Sequence, residues 1–121
     1  MKTQLIGKTS LVSTRLAYGN MRVAGGWDPA KVTPQQEETG RGAIIAAFEA
    51  GYTHFDTADI YCRGVCETIL GQALRQVSGM RDRIVLTTKC GIRFPDDPAP
   101  GAPHRFDFSA QHILASCDRS L

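Results

Sequence analysis

An α/β fold built on a parallel sheet is what this sequence predicts, and three observations predict it. Short apolar runs alternate with stretches of helical periodicity, in the order strand, helix, strand, helix, strand, loop, helix. Two of the runs, Tyr52 to Asp56 and Ile84 to Thr88, end at charged residues, Asp56 and Lys89. After the first strand, Gly19-Asn20-Met21-Arg22-Val23-Ala24 lacks the G-x-G-x-x-G phosphate fingerprint, and no Walker sequence occurs. Right-handed crossovers place both connecting helices on one side of the strands, so the other face needs a cover. Without a nucleotide fingerprint, a barrel is favoured over an open doubly wound sheet, because its second face becomes the interior. A complete eightfold barrel takes about 250 residues. The 121 residues here therefore predict a single unit, 1–121, that is a partial (β/α)8 TIM barrel, about its first three βα units.

Each element has its own signal. Residues 11 to 23 read as a strand ending near Gly19, and Gly25, Gly26 and Pro29 mark the loop that follows. Thr33-Pro34-Gln35-Gln36 is a helix start, with Thr33 as cap, Pro34 in the first turn and Gln36 closing a capping box. Ile44, Ile45 and Phe48, with three alanines, give that helix an apolar face, and Gly51 is its expected stop. A second helix is expected from Val65 to Ser78, where Val65, Ile69, Leu70, Ala73, Leu74 and Val77 recur at helical spacing. Ile84 to Thr88 is β-branched and uncharged, the pattern of a strand buried on both faces. Four prolines between Gly91 and Ser109 predict an irregular functional loop. Ser109 caps a third helix whose expected face is Ile113, Leu114, Cys117 and Leu121. That helix stops in mid-pattern at Leu121, so the chain is expected to be the N-terminal part of a larger barrel.

Composition narrows the classes of function. A net charge of +2 with scattered basic residues predicts neither a nucleic-acid partner nor a membrane surface. Lys8 and Arg15 interrupt any apolar leader, so the expected compartment is the cytoplasm. In a reducing compartment Cys62, Cys66, Cys90 and Cys117 read as free thiols. The C-x3-C pair of Cys62 and Cys66 has no companion ligands, so no metal site is expected.

The chemistry gathers between Gly51 and Lys89. Neighbouring parallel strands lie about 4.8 Å apart, so Asp56 and Lys89 can meet as a partly buried ion pair at a barrel mouth. Tyr61, five positions beyond Asp56, can fold back over them. A phenol is a poor acid near neutrality, and a nearby ammonium favours its phenolate. Such a group can protonate a developing alkoxide. The plainer alternative is a structural ion pair beside a core aromatic.

Gly51-Tyr52-Thr53-His54-Phe55-Asp56-Thr57-Ala58, with Tyr61, Glu67 and Leu70-Gly71, resembles the first signature of the aldo-keto reductases. Thr87-Thr88-Lys89-Cys90-Gly91 is similar to the strand carrying that family's catalytic lysine. Asp59-Ile60-Tyr61 and Lys89-Cys90-Gly91-Ile92 most resemble the bacterial YdhF-like oxidoreductases. The resemblance implies a barrel that uses NADPH, or sometimes NADH, to reduce aldehydes and ketones. It implies Tyr61 as proton donor, Lys89 as the group that lowers its pKa, and Asp56 as partner of Lys89 near the nicotinamide ribose. Gly19, Asn20 and Met21 would border the nicotinamide. The family also has a substrate-orienting histidine at the end of its fourth strand, a role that His54, His104 and His112 are not placed to fill. Cys62 stands where the family often has glycine, and Thr53 where arginine is common. The expected partner is a small carbonyl substrate. A chain lacking the histidine and most of the cofactor cradle is expected to be inactive alone and prone to self-association. The rival reading is a non-catalytic remnant or a binding subunit with the same barrel.

Overall fold

The computed structural model describes residues 1–121. Its centre is a three-stranded parallel sheet of β3 (Tyr18–Gly19), β4 (His54–Asp56) and β5 (Val85–Thr87), in sequential order. Gly19 pairs with Asp56, and Asp56 with Thr87, so the three strands end level. The ladder runs on past the strands: Asn20 N donates to Asp56 O, Thr57 N to Thr87 O, and Asp59 N to Lys89 O. Helices α1 (Pro34–Glu49) and α2 (Val65–Gln76) form the two crossovers and pack on each other.

Helix α1 begins as its sequence dictates. The Thr33 hydroxyl accepts from Gln36 N, and the Gln36 side chain accepts from Thr33 N, which completes the capping box. It buries Gly40, Ile44 and Ala47. Helix α2 buries Ile69, Leu70 and Ala73 of its expected face together with Cys66, while Val65, Leu74 and Val77 pack half-buried against the core. Phe55 of β4 points at these helices and is fully buried with Ile44, Ile69 and Met80. Alternation along the strand then directs His54 and Asp56 to the opposite face. His54 Nε2 lies 3.0 Å from Thr87 Oγ1 on that side.

Four expectations are corrected. The single strand expected over 11 to 23 is two, because Val12–Thr14 (β2) pairs antiparallel with β1 (Thr3–Leu5) before the chain turns into β3. Reciprocal bonds fasten this hairpin beneath the sheet: Thr14 N donates to Thr53 Oγ1 at 2.9 Å, and Thr53 N to Thr14 Oγ1 at 3.1 Å. Thr53, where arginine is common in the resembled family, thus has a structural use. Strand β5 is half-buried along its length rather than buried on both faces, since it has a neighbour on one edge only. The proline-rich stretch contains an antiparallel pair, β6 (Ile92–Arg93) with β7 (Arg105–Phe106). Helix α3 (Ala110–Ser120) is capped by Ser109 as expected, yet it buries His112 and Ser116, while Ile113, Leu114 and Leu121 are exposed.

Candidate active site

The site is assembled at the level where β3, β4 and β5 end. Lys89, two residues beyond Thr87 and on the same face, reaches back to Asp56: its Nζ lies 2.7 Å from Asp56 Oδ2. The same ammonium donates to the Thr57 carbonyl at 2.6 Å, so it is anchored at two points. The Tyr61 ring lies beside it, with Lys89 Nζ 5.1 Å from the ring centroid. Asp56, Tyr61 and Lys89 are therefore brought together.

The ion pair is partly buried, with side chains 46% exposed for Lys89 and 36% for Asp56. At that exposure it adds about 0–1 kcal/mol to stability, which makes it an arrangement of charge rather than a fold-holding contact. Partial burial pulls the Lys89 pKa down, but hydrogen bonding with Asp56 and then Tyr61 outweighs it and holds the ammonium above its ordinary value. Lys89 thus stays charged across the physiological range, as a positive charge at the phenol must.

Tyr61 is aimed by an unusual turn. Cys62 and Arg63 both have left-handed backbone, φ 47° and 50°, ahead of Gly64 at φ 92°. This turn folds the chain back and starts α2. It also explains the preference for glycine at position 62 in the resembled family. Here Cys62 accepts the strain with a fully buried side chain, and burial raises the pKa of its thiol. Burial likewise raises Cys66, whose Sγ lies 3.7 Å from the Met21 carbonyl, so neither thiol is activated.

The cofactor-side residues are placed differently from one another. Gly19 is exposed, and a Cβ built there would meet no protein atom within 4 Å, which leaves room for a flat ring beside Asp56. Met21 is 41% exposed and lines the cleft that contains Tyr61 and Lys89. Asn20 is fully buried, and both polar atoms of its amide lack a hydrogen-bond partner. Its link to the site is through the backbone, by the bond to Asp56 O.

None of the three histidines lines the cleft: His54 bonds Thr87, His104 packs edge-on against Phe106, and His112 is buried in α3. Sequence reading missed Trp27, Phe106 and Phe108. Trp27 stands 6.2 Å from the Tyr61 ring, edge to face, and all three line the same cleft. They lie in segments without periodicity, so only a fold could bring them to Tyr61.

Comparison with known proteins places the fold in a family. The family model described as the aldo/keto reductase family matches residues 15–121. The oxidoreductase YcsN of Bacillus subtilis is 47% identical over 73 residues, 59% of this chain and 24% of that protein. The 6-dehydroglucose reductase of Agrobacterium fabrum is 36% identical over 109 residues, 89% of this chain and 35% of that protein. Among solved structures, an aldo-keto reductase from Bacillus halodurans in its holo form superposes with a TM-score of 0.77 at 31% identity, covering all of this chain and 35% of that one. The chain thus spans about a quarter to a third of the length of these relatives. With the family model matched over residues 15–121, nearly the whole of its length, the chain belongs to the aldo/keto reductase family.

Proposed function

We propose that this chain carries the proton-donating part of an NAD(P)H-dependent reductase of aldehydes and ketones. The observation that carries the reading is Lys89, held between Asp56 and the Thr57 carbonyl with Tyr61 against it at the strand ends. Tyr61 is the general acid: as electron density moves onto the carbonyl oxygen, its hydroxyl hydrogen bonds to that oxygen and then gives it a proton. Lys89 stabilises the phenolate left behind, and Asp56 keeps the ammonium pointed at it. A reduced nicotinamide supplies the hydride, with its electron pair, to the carbonyl carbon. The open space at Gly19, with Met21 on the cleft side, would take that ring, and Asp56 would accept from a ribose hydroxyl. NADPH is the favoured form on family likeness, with NADH the alternative. The YdhF-like affiliation rests on the residues around Tyr61 and Lys89. A cytoplasmic setting suits four unpaired cysteines.

Turnover, on this reading, needs barrel strands that these 121 residues do not include. No histidine reaches the cleft to orient a carbonyl, and three parallel strands are far from a closed barrel. Purified alone, the chain is expected to give no steady NADPH oxidation with a simple aldehyde. Joined to the later strands of the Bacillus halodurans barrel, it is expected to support reduction, and Tyr61→Phe then lowers kcat by about 10²–10⁴-fold. Full activity of that variant would overturn the assignment of Tyr61.

A further inference from the structure

Helix α2 begins immediately after the left-handed turn at Cys62 and Arg63, so whatever holds its first turn also holds Tyr61. The flanking residues Ile60 and Gly64 have no polar side chain with which to cap that turn. Its own fastener is the Arg63 guanidinium, 4.2 Å from the centroid of the Phe94 ring. Glu67, in the third position of α2, adds a second from the helix side. Its Oε1 accepts from Thr88 Oγ1 at 2.6 Å and its Oε2 from Ser120 Oγ at 3.1 Å. One carboxylate thus joins the helix behind Tyr61 to the residue before Lys89 and to the end of α3.

The end of β5 needs such a hold. The strand has a neighbour on one edge only, and past its last residue it is kept by backbone bonds from Thr57 N and Asp59 N on the β4 side. Side chains alternate here: Thr87 meets His54, Thr88 turns to α2, and Lys89 returns to the Asp56 side. Glu67 therefore grips the strand from behind, at the residue whose successor presents the ammonium. No other side-chain hydrogen bond links α2 to this segment or to α3. Thr88 is exposed, so its bond is not needed to close the core. A carboxylate in a first helical turn is also favoured by the helix dipole, and a bare charge effect is the plainer alternative. Two oxygens, each with its own hydroxyl donor on a different element, go beyond what charge requires.

We propose that Glu67 is a positioning residue, which by gripping Thr88 from the first turn of α2 sets the separation between the Lys89 ammonium and the Tyr61 ring. The inference deepens the reductase reading and rests on it for the chemistry, since that separation decides how well the ammonium supports the phenol in proton transfer. Reach and charge can be separated by substitution. Glu67→Gln keeps the reach and an oxygen for Thr88 but drops the charge. Glu67→Asp keeps the charge at the helix start but, one methylene shorter, falls short of Thr88. Thr88→Val removes the hydroxyl from the other end without changing the shape of the side chain.

Lys89 itself reports the outcome without cofactor or turnover. The complete 121-residue chain is labelled with a trace of acetic anhydride at about pH 8, where an amine reacts only in its uncharged form. Acetylation of Lys89 relative to the exposed Lys2 and Lys8 is read by mass spectrometry. In the parent, Lys89 is expected to react at most about one third as fast as the other two, because Asp56 and the Thr57 carbonyl hold it as an ammonium. Glu67→Ala and Thr88→Val should each raise that ratio about twofold or more, and the two together no further, since both remove the same bond. Glu67→Gln should stay near the parent, and Glu67→Asp should behave like Glu67→Ala. Thr39→Val, the loss of an exposed hydroxyl on α1, should change nothing. A ratio unmoved by Glu67→Ala and Thr88→Val, effects that add, or a parent-like ratio in Glu67→Asp with a raised one in Glu67→Gln would each overturn the inference. Far-ultraviolet circular dichroism should be unchanged in every variant. If Glu67→Ala loses its helical signal, the ratio must still rise in Thr88→Val and stay low in Glu67→Gln. Full activity of Tyr61→Phe would sink the reductase assignment and leave this result standing, whereas an unmoved ratio would sink the positioning role alone.

Discussion

Two glycines in one helix have opposite meanings. Gly40 is buried where α1 crosses the loop after β3, and a Cβ there would collide with the Val23 carbonyl. Gly42, half a turn away, is exposed and a Cβ would touch nothing. Gly40→Ala is expected to destabilise the chain by about 1–3 kcal/mol, since backbone must move to admit a methyl. Gly42→Ala should stabilise it by about 0.5–1 kcal/mol, the ordinary helix preference for alanine. Urea midpoints of the two variants check both signs, and equal shifts would mean that α1 does not pack against Val23 as described. The same logic of backbone space applies at Cys62. A left-handed φ of 47° is costly for any side chain, and the strain is tolerated at the turn that presents Tyr61.

Among the elements, the β6–β7 hairpin departs most from a plain βα connection, and its clamp is electrostatic. The Asp107 carboxylate accepts from the Ser109 hydroxyl, from the Ser109 backbone N–H at 3.0 Å, and from Arg93. These bonds hold its pKa below the ordinary 3.8. A depressed folded-state pKa contributes stability that is present above the ordinary value and lost as pH falls through the folded one. Asp107→Asn should therefore lower the urea midpoint at about pH 6, and by progressively less as pH falls below the ordinary carboxylate range. A gap that persists unchanged in acid would show that the clamp does not depend on the charge. Since Asp107 lies between Phe106 and Phe108, acid should loosen the aromatic wall together with the clamp.

The whole molecule leaves apolar surface uncovered on two sides. Strand β5 has one open edge, and α3 exposes Ile113, Leu114 and Leu121. Open strand edges and contiguous apolar surface favour association. Concentration-dependent self-association is the expected behaviour, visible as a shift to earlier elution in a sizing column as loading rises. A monodisperse monomer at every concentration, melting cooperatively, would overturn it. No helix is long and apolar enough to cross a membrane.

Much of this was legible from local chemistry. The capping box at Thr33 and Gln36, the stop at Gly51, and the strands that end at Asp56 and just before Lys89 follow from residues within a few positions of one another, so their sequence carries them. The nearness of Asp56, Tyr61 and Lys89 was also readable, because parallel strands put consecutive strand ends side by side. What lay beyond local reach was decided by packing. The first apolar run splits into β2 and β3 because Thr14 finds Thr53, thirty-nine positions away. The proline-rich stretch pairs with itself because arginines at 93 and 105 find Asp97 and Asp107 within the folded hairpin. Helix α3 turns His112 and Ser116 inward because its environment, rather than its hydrophobic spacing, sets which face is covered. The sequence by itself determined the family and the nearness of Asp56, Tyr61 and Lys89. Only the tertiary structure placed Trp27, Phe106 and Phe108 around them, because contacts between segments with no periodicity exist only once the chain has folded.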